Sequence, residues 1–229
     1  MIRAVIFDLD DTLYDEIDYC RSGFQAVAEF LIRVHKVACA PDELQACLWR
    51  HFSSGNRGRT FNAALTELGL AFNARLIAGL IRVYRAHTPK LKLSKETRDV
   101  LRHLGRSHDL AILTDGYLPA QRLKIRALGI APYLECIFYT EHLGRAFWKP
   151  STAGFIRVLD ALQVRPSEAI YVGDNPAKDF IAPNRLGMES VQVLRPLRLR
   201  GQPASSPEAA PGHTVDCLSQ IPALLQSLD

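Results

Sequence analysis

This 229-residue chain lacks several features, and each absence narrows what it can be. No apolar run approaches the roughly 18 residues that a membrane span requires. The apolar stretch near the N-terminus is short and is broken at once by acids, unlike a secretory leader. The five cysteines, at 20, 39, 47, 136 and 217, are odd in number and widely spaced, and none forms a Cys-x-x-Cys pair. That pattern argues against a disulfide framework and against a zinc site, and suits reduced core thiols in a cytoplasmic protein. There is no dense Lys/Arg tract interleaved with aromatics, and the formal charge is only +4, so nucleic acid is not the expected partner. A slight positive excess does suit a small anion. Neither an internal repeat nor a Gly-x-Gly-x-x-Gly dinucleotide fingerprint is present.

The chain does hold enough apolar residues, 48%, for a substantial core. From about residue 95 two patterns alternate. Apolar strands at Asp109–Leu113, Cys136–Tyr139, Ala169–Val172 and Ser190–Leu194 alternate with amphipathic helices at Glu96–Leu104, Pro119–Leu128, Thr152–Leu162 and Ala177–Leu186. Gly129 and Gly187 close two of those helices. Together with a first strand at Ala4–Phe7, this predicts an α/β fold, a Rossmann-like doubly wound parallel sheet with helices on both faces. The stretch from Leu197 to Pro211 reads as a surface loop, followed by a short C-terminal helix near Leu218–Leu228, and Arg195, Arg198 and Arg200 read as solvated.

Between the first strand and Glu96 lie roughly eighty residues, where a plain crossover needs about a dozen. They have helical spacing. Ile17, Cys20, Phe24, Val27, Leu31 and Val34 step by three and four; Phe61, Leu65 and Leu68, then Leu76, Leu80 and Val83, repeat the step. The economical reading is an all-helical insert over 16–88, in a core made of 1–15 and 89–229. The loop 53–59 inside the insert carries Arg57 and Arg59, which either reach a substrate or decorate a solvated helix connection.

The most telling segment is Asp8-Leu9-Asp10-Asp11-Thr12, directly after the first strand. Two carboxylates two residues apart on an extended chain project to one side. They are poor core material, because burying an unpaired carboxylate is costly. Taken alone, the segment could equally be a solvated turn or helix cap. Three later segments lie where doubly wound sheets gather ligands, at the carboxyl ends of strands: Thr114, Lys149-Pro150, and Gly173-Asp174-Asn175-Pro176-Ala177-Lys178-Asp179. Each has a bland alternative by itself; their joint order does not.

Asp8-x-Asp10-x-Thr12, Thr114, Lys149-Pro150 and Gly173-Asp174-x-x-x-x-Asp179 resemble the four motifs of the haloacid-dehalogenase-like hydrolase superfamily, over about residues 1–15 and 89–195. The helical insert is similar to that family's C1-type cap. Asp10 makes the chain resemble the small-molecule phosphatases more than the dehalogenases. One departure is Asp115, where many relatives carry Asn. The resemblance implies a Mg²⁺-dependent phosphomonoester hydrolase acting on a small phosphorylated metabolite such as a nucleotide monophosphate or sugar phosphate. In that scheme Asp8 is the nucleophile that forms an aspartyl-phosphate, and Asp10 is the general acid and base. Thr114, Asp115 (through its backbone) and Lys149 hold the phosphoryl group. Asp8, the Asp10 carbonyl and Asp174 ligate the metal. Asp179 orients Lys149 or a metal-bound water; Arg57 and Arg59, read from the insert's loop and not from the motifs, are candidates for substrate specificity. A phosphomutase of the same family and a phospho-acceptor signalling domain are the alternatives. The signalling domain would need neither Asp10 nor the insert.

Overall fold

The computed structural model describes residues 1–55 and 57–228. The chain divides into two compact units: residues 1–17 with 91 to the C-terminal end, and residues 18–90.

The first unit is built on a six-stranded sheet of order β3-β2-β1-β4-β5-β6, parallel throughout. Its strands are β1 (Ala4–Phe7), β2 (Asp109–Thr114), β3 (Cys136–Tyr139), β4 (Ala169–Gly173), β5 (Glu189–Val193) and β6 (His213–Val215). This is the strand order of a Rossmann-like doubly wound sheet, with the winding reversed at β1. β1 runs between β2 and β4, with Ala4 opposite both Asp109 and Ala169, and it is buried along its whole length. A strand covered on both faces needs an unbroken apolar run, and Ala4-Val5-Ile6-Phe7 is one.

Alternate residues serve opposite faces of the sheet. Ala4, Ile6, Ala111, Leu113, Ala169 and Tyr171 meet Phe155, Val158, Leu159 and Leu162 of α7 (Ala153–Leu162) and Ala182 of α8 (Ile181–Leu186). The other face is covered in part by α5 (Lys95–Leu104), which packs on β2 and against α9 (Ile221–Leu228). α5 starts where Ser94 caps it by accepting the Thr97 N–H at 3.0 Å. α6 (Leu118–Leu128) ends at Gly129, whose φ of 63° is the left-handed conformation that only glycine adopts without cost.

Two segments of this unit depart from the sequence-based expectation. The helix expected from Ala177 begins only at Ile181. Asn175 Oδ1 accepts the Ala177 N–H, Asp179 Oδ2 accepts the Asn175 N–H, and the Asn175 carbonyl takes the N–H groups of Lys178 and Asp179. Those bonds hold 175–179 as a compact turn. The tail also contains β6, a three-residue edge strand too short to carry an alternation signal. Arg195, expected to be solvated, pairs with Asp15 at 2.7 Å, and the Leu199 N–H donates to Asp11 Oδ2 at 2.7 Å. The tail is therefore tied to the loop after β1. The cysteines form no disulfide among the described residues; Cys20 and Cys47 are buried, but Cys39, Cys136 and Cys217 are only half-buried rather than core residues.

The second unit is helical: α1 (Glu16–His35, which begins in the first unit), α2 (Pro41–Ser53), α3 (Thr60–Glu67) and α4 (Ala74–Ala86). Phe24, Val27 and Leu31 of α1 are buried, as are Leu44, Leu48 and Phe52 of α2, Leu65 of α3 and Leu80 of α4. Val34 has the right spacing for that face but lies exposed near the end of α1. Phe24 meets Phe52 edge to face with ring centres 5.3 Å apart. At Gly23 a side chain would strike the Tyr84 ring, so glycine is what lets α1 and α4 approach. Among the described residues no helix is long and apolar enough to cross a membrane.

Phe155 links α7 to the middle of the sheet and packs edge-on to Tyr171 at 4.8 Å. Phe155→Ala should destabilise the protein by about 3–5 kcal/mol, measured as a lower midpoint in urea at an unchanged slope.

Candidate active site

The four motif segments come together at the carboxyl edge of the sheet, where the loops after β1, β2 and β4 converge with the segment before α7. β1 delivers Asp8, whose N–H still bonds the Val172 carbonyl at 2.8 Å as though the strand continued. The chain then turns at Asp11, with φ at 54°, a conformation that aspartate tolerates better than most residues. Asp11 is not available as a ligand: its carboxylate accepts the N–H groups of Glu16 and Leu199.

Asp8, Asp174 and Asp179 are all buried, and each offers an oxygen within 4.8 Å of the others. Two ammonium groups answer them. Lys149 Nζ lies 2.9 Å from Asp8 Oδ1 and 2.7 Å from Asp179 Oδ1, and also donates to Tyr171 Oη at 2.7 Å. Lys178 Nζ lies 3.2 Å from Asp8 Oδ2 and 3.8 Å from Asp179 Oδ1. Burial disfavours the Asp8 charge, but Lys149 and Lys178 outweigh it and bring the carboxyl down to about 2. Burial likewise disfavours the Lys149 charge, and Asp179 and Asp8 more than restore it, so that ammonium stays charged.

Asp174 is different. It makes no ion pair among the described residues. Burial, then the charges of Asp179 and Asp8, push its carboxyl up to about 9. Three acids against two ammonium groups leave one charge to be balanced, and all the clustered acceptors are oxygens. That donor set fits a hard divalent cation such as Mg²⁺. The buried Asn175 Nδ2, on the residue after Asp174, has no hydrogen-bond partner among the described residues.

Asp10 belongs to a second network. Both of its oxygens lie 2.8 Å from Lys124 Nζ, Oδ2 accepts from Gln121 Nε2 at 3.0 Å, and Oδ1 accepts a very short bond from the Tyr14 hydroxyl. Gln121 Nε2 also donates to Thr114 Oγ1 at 2.7 Å, so one amide joins Asp10 to Thr114. Glu16 lies 3.8 Å from Lys124, and burial together with the Asp10 charge raises its carboxyl to about 7. The Asp115 carboxylate has partners of its own. It accepts from Thr140 Oγ1 at 2.7 Å and from the Lys149 N–H at 3.2 Å, pinning the lysine's backbone to the end of β3.

Sequence reasoning thus gathered Asp8, Thr114, Lys149, Asp174 and Asp179 at one edge. It read Asp10 as facing the same point as Asp8, whereas the two carboxylates have separate partners. It missed Lys178, Lys124, Gln121, Tyr14 and Glu16. The one usable signal was Gln121-x-x-Lys124, a polar pair at helical spacing that α6 buries completely. Arg57 and Arg59 sit in a short turn of the helical unit, with the Arg57 guanidinium 5.2 Å from the centre of the Phe52 ring. Asn56, in the same loop, lies outside the described residues.

Residues 2–187 match the family model described as haloacid dehalogenase-like hydrolase. The chain belongs to that family and is a hydrolase. Its relatives include the glyceraldehyde 3-phosphate phosphatase of Methanopyrus kandleri, 30% identical with 85% of each chain covered. The phosphoserine phosphatase of Thermus thermophilus is 29% identical over 96% of this chain and 98% of its own. Among solved structures, the 2-haloacid dehalogenase of Pseudomonas syringae pv. Tomato DC3000 superimposes with a TM-score of 0.69 at 26% identity, covering both chains completely.

Without a divalent cation, Asp174 carries its proton in the folded protein up to about pH 9, while the unfolded chain releases it near 3.8. Across that window the folded state binds more protons, so this group's contribution to stability is full below 3.8 and is lost as pH rises toward 9. In chelator, the wild type should therefore lose urea resistance relative to Asp174→Asn with rising pH. A constant difference would mean that Asp174 is ionised without a cation.

Proposed function

We propose that the protein is a Mg²⁺-dependent phosphomonoester hydrolase acting on a small phosphorylated metabolite. The observation that carries this reading is the buried trio Asp8, Asp174 and Asp179, with one carboxyl, Asp174, left without an ammonium partner among the described residues once Lys149 and Lys178 are counted. Displacement of halide from a haloacid gives a carboxylate nucleophile no comparable repulsion to overcome. A phosphomonoester dianion does, and it needs cations around the nucleophile.

Asp8, Asp174 and the Asp10 carbonyl are the groups that would hold the metal. Once bound, Mg²⁺ neutralises the approach of dianion to carboxylate and polarises the phosphoryl oxygens. The chain's own residues do the rest. An Asp8 oxygen attacks phosphorus in line, forming the P–O bond of an aspartyl-phosphate as the bond to the leaving oxygen breaks. Asp10 gives that oxygen a proton, then takes one from the water that attacks the phosphorus and releases Asp8. The Lys124 ammonium and the Gln121 amide fix the orientation of the Asp10 carboxyl. Thr114 Oγ1 donates to a phosphoryl oxygen while Gln121 holds it from the other side. Lys149 stabilises charge on the phosphoryl group and on Asp8, and Asp179, held by the Asn175 N–H, keeps Lys149 in position.

The relatives are named for different phosphorylated substrates, so the motif edge alone does not set the choice. In this reading the helical residues 16–88 act as the selecting cap, with Arg57 and Arg59 as its anion-reading residues. A phosphomutase would share every step up to the aspartyl-phosphate and differ only in what attacks it.

Asp8→Asn should lower phosphate release from an aryl phosphate by about 1,000-fold or more with the fold intact by circular dichroism. Chelator should silence the wild type, and Mg²⁺ should restore it. Full turnover by the variant, or in chelator, would overturn the mechanism. Replacing Arg57 and Arg59 together with alanine should raise KM for the preferred metabolite phosphate more than KM for an aryl phosphate. Equal changes would remove both arginines from recognition.

A further inference from the structure

The helical unit contains a second group of ligating side chains that the hydrolytic chemistry does not use. Cys47 and His51 lie one turn apart on α2, and Glu67 is the last residue of α3. Each offers an atom within 4.8 Å of the other two. Cys47 is buried, His51 is half-buried and Glu67 is exposed, so the group opens to solvent on one side. The donors are thiol, imidazole and carboxylate.

We propose that Cys47, His51 and Glu67 form a binding site for Zn²⁺, three protein ligands with water in the fourth position, clamping α2 to α3. A hard cation such as Mg²⁺ is a poor match for sulfur and imidazole, whereas zinc accepts all three donors. The charges balance, since one thiolate and one carboxylate neutralise the dication and the imidazole stays neutral. The carboxylate is already aimed. Arg50 takes Glu67 Oε1 in a very short ion pair, while Oε2 faces His51 Nε2 at 2.8 Å. The guanidinium thus occupies the oxygen that the metal does not need and fixes the direction of the other. In the metal-free protein a proton between His51 Nε2 and Glu67 Oε2 stands where zinc would bind. On binding, that proton leaves the Nε2–Oε2 line and the neutral imidazole carries its one proton at Nδ1 instead, while the Cys47 thiol releases its proton to solvent. Burial and the neighbouring Glu67 carboxylate raise that thiol, so without a metal it remains protonated. The Cys-x-x-Cys rule misses such a site because its ligands are a Cys-x-x-x-His pair on one helix and a glutamate from another.

Co²⁺ is a spectroscopic substitute for Zn²⁺. Titrated into the full chain in excess Mg²⁺, which fills the oxygen site, one equivalent should produce thiolate-to-cobalt charge-transfer absorption in the near ultraviolet, and Zn²⁺ should remove it. Cys47→Ser should abolish the band. His51→Ala and Glu67→Gln, on the more accessible side of the site, should weaken binding by at least the roughly 10- to 100-fold that even an outer partner of a metal is worth. Asp174→Asn should keep the band. No charge-transfer band at excess Co²⁺, or a band that survives Cys47→Ser or is unmoved by both His51→Ala and Glu67→Gln, would overturn the proposal.

Discussion

The buried contact of Lys149 Nζ with Asp8 and Asp179 is the constraint around which the motif edge is arranged. It ties together the end of β1, the turn after β4 and the segment before α7. None of these groups would stay charged so deep in the protein alone. Removing one partner of such a pair typically costs about 3–5 kcal/mol, because the other is left buried and uncompensated. Much of the nearby hydrogen bonding serves to hold that lysine. Asp115 pins its backbone, Tyr171 accepts one of its protons, and Asn175 fixes the carboxylate it faces. Gly173 belongs to the same arrangement, because a Cβ there would lie 2.8 Å from Asp179 Oδ2.

The arrangement nevertheless holds one carboxyl more than it has ammonium groups. Lys149 and Lys178 satisfy Asp8 and Asp179, and Asp174 is left with its proton. A site that was fully neutralised by its own side chains would have no reason to take up a metal. This one is neutral only while one group, Asp174, holds a proton, and the amide on the next residue has no hydrogen-bond partner among the described residues. Asp10 lies outside this economy. Its partners come from α6 and from Tyr14, so the carboxyl assigned to proton transfer is insulated from the one assigned to attack. Gln121 joins it to the Thr114 hydroxyl.

Much of this was legible in the sequence, for identifiable reasons. The parallel sheet follows from apolar runs such as Ala4–Phe7 and Ala169–Val172, which only strands buried on both faces require. Asp8, Thr114, Lys149, Asp174 and Asp179 were legible because each stands where a strand gives way to a loop. What escaped depends on three dimensions. Lys178 was one of the variable places between Asp174 and Asp179, and only the turn made by Asn175 brings its ammonium to Asp8. Lys124 and Gln121 looked like the polar face of an ordinary helix until α6 was seen to bury them. Arg195 resembled its solvated neighbours, and its partner, Asp15, is 180 residues away. The late start of α8 and the brief β6 were set by side-chain bonds and edge pairing, neither of which leaves a periodicity.

The central place of β1 in the sheet bears on how the molecule is made. β1 leaves the ribosome well before its neighbours, which begin at Asp109 and Ala169, so it waits unpaired while they are synthesised. Residues 18–90 emerge during that delay and already contain their own apolar core. The Rossmann-like sheet, by contrast, closes only through distant contacts, which form slowly and leave an apolar strand open to unwanted association. Birth order and final position are thus opposed: the segment that bears Asp8 is made before both of its sheet neighbours and enclosed only once they arrive.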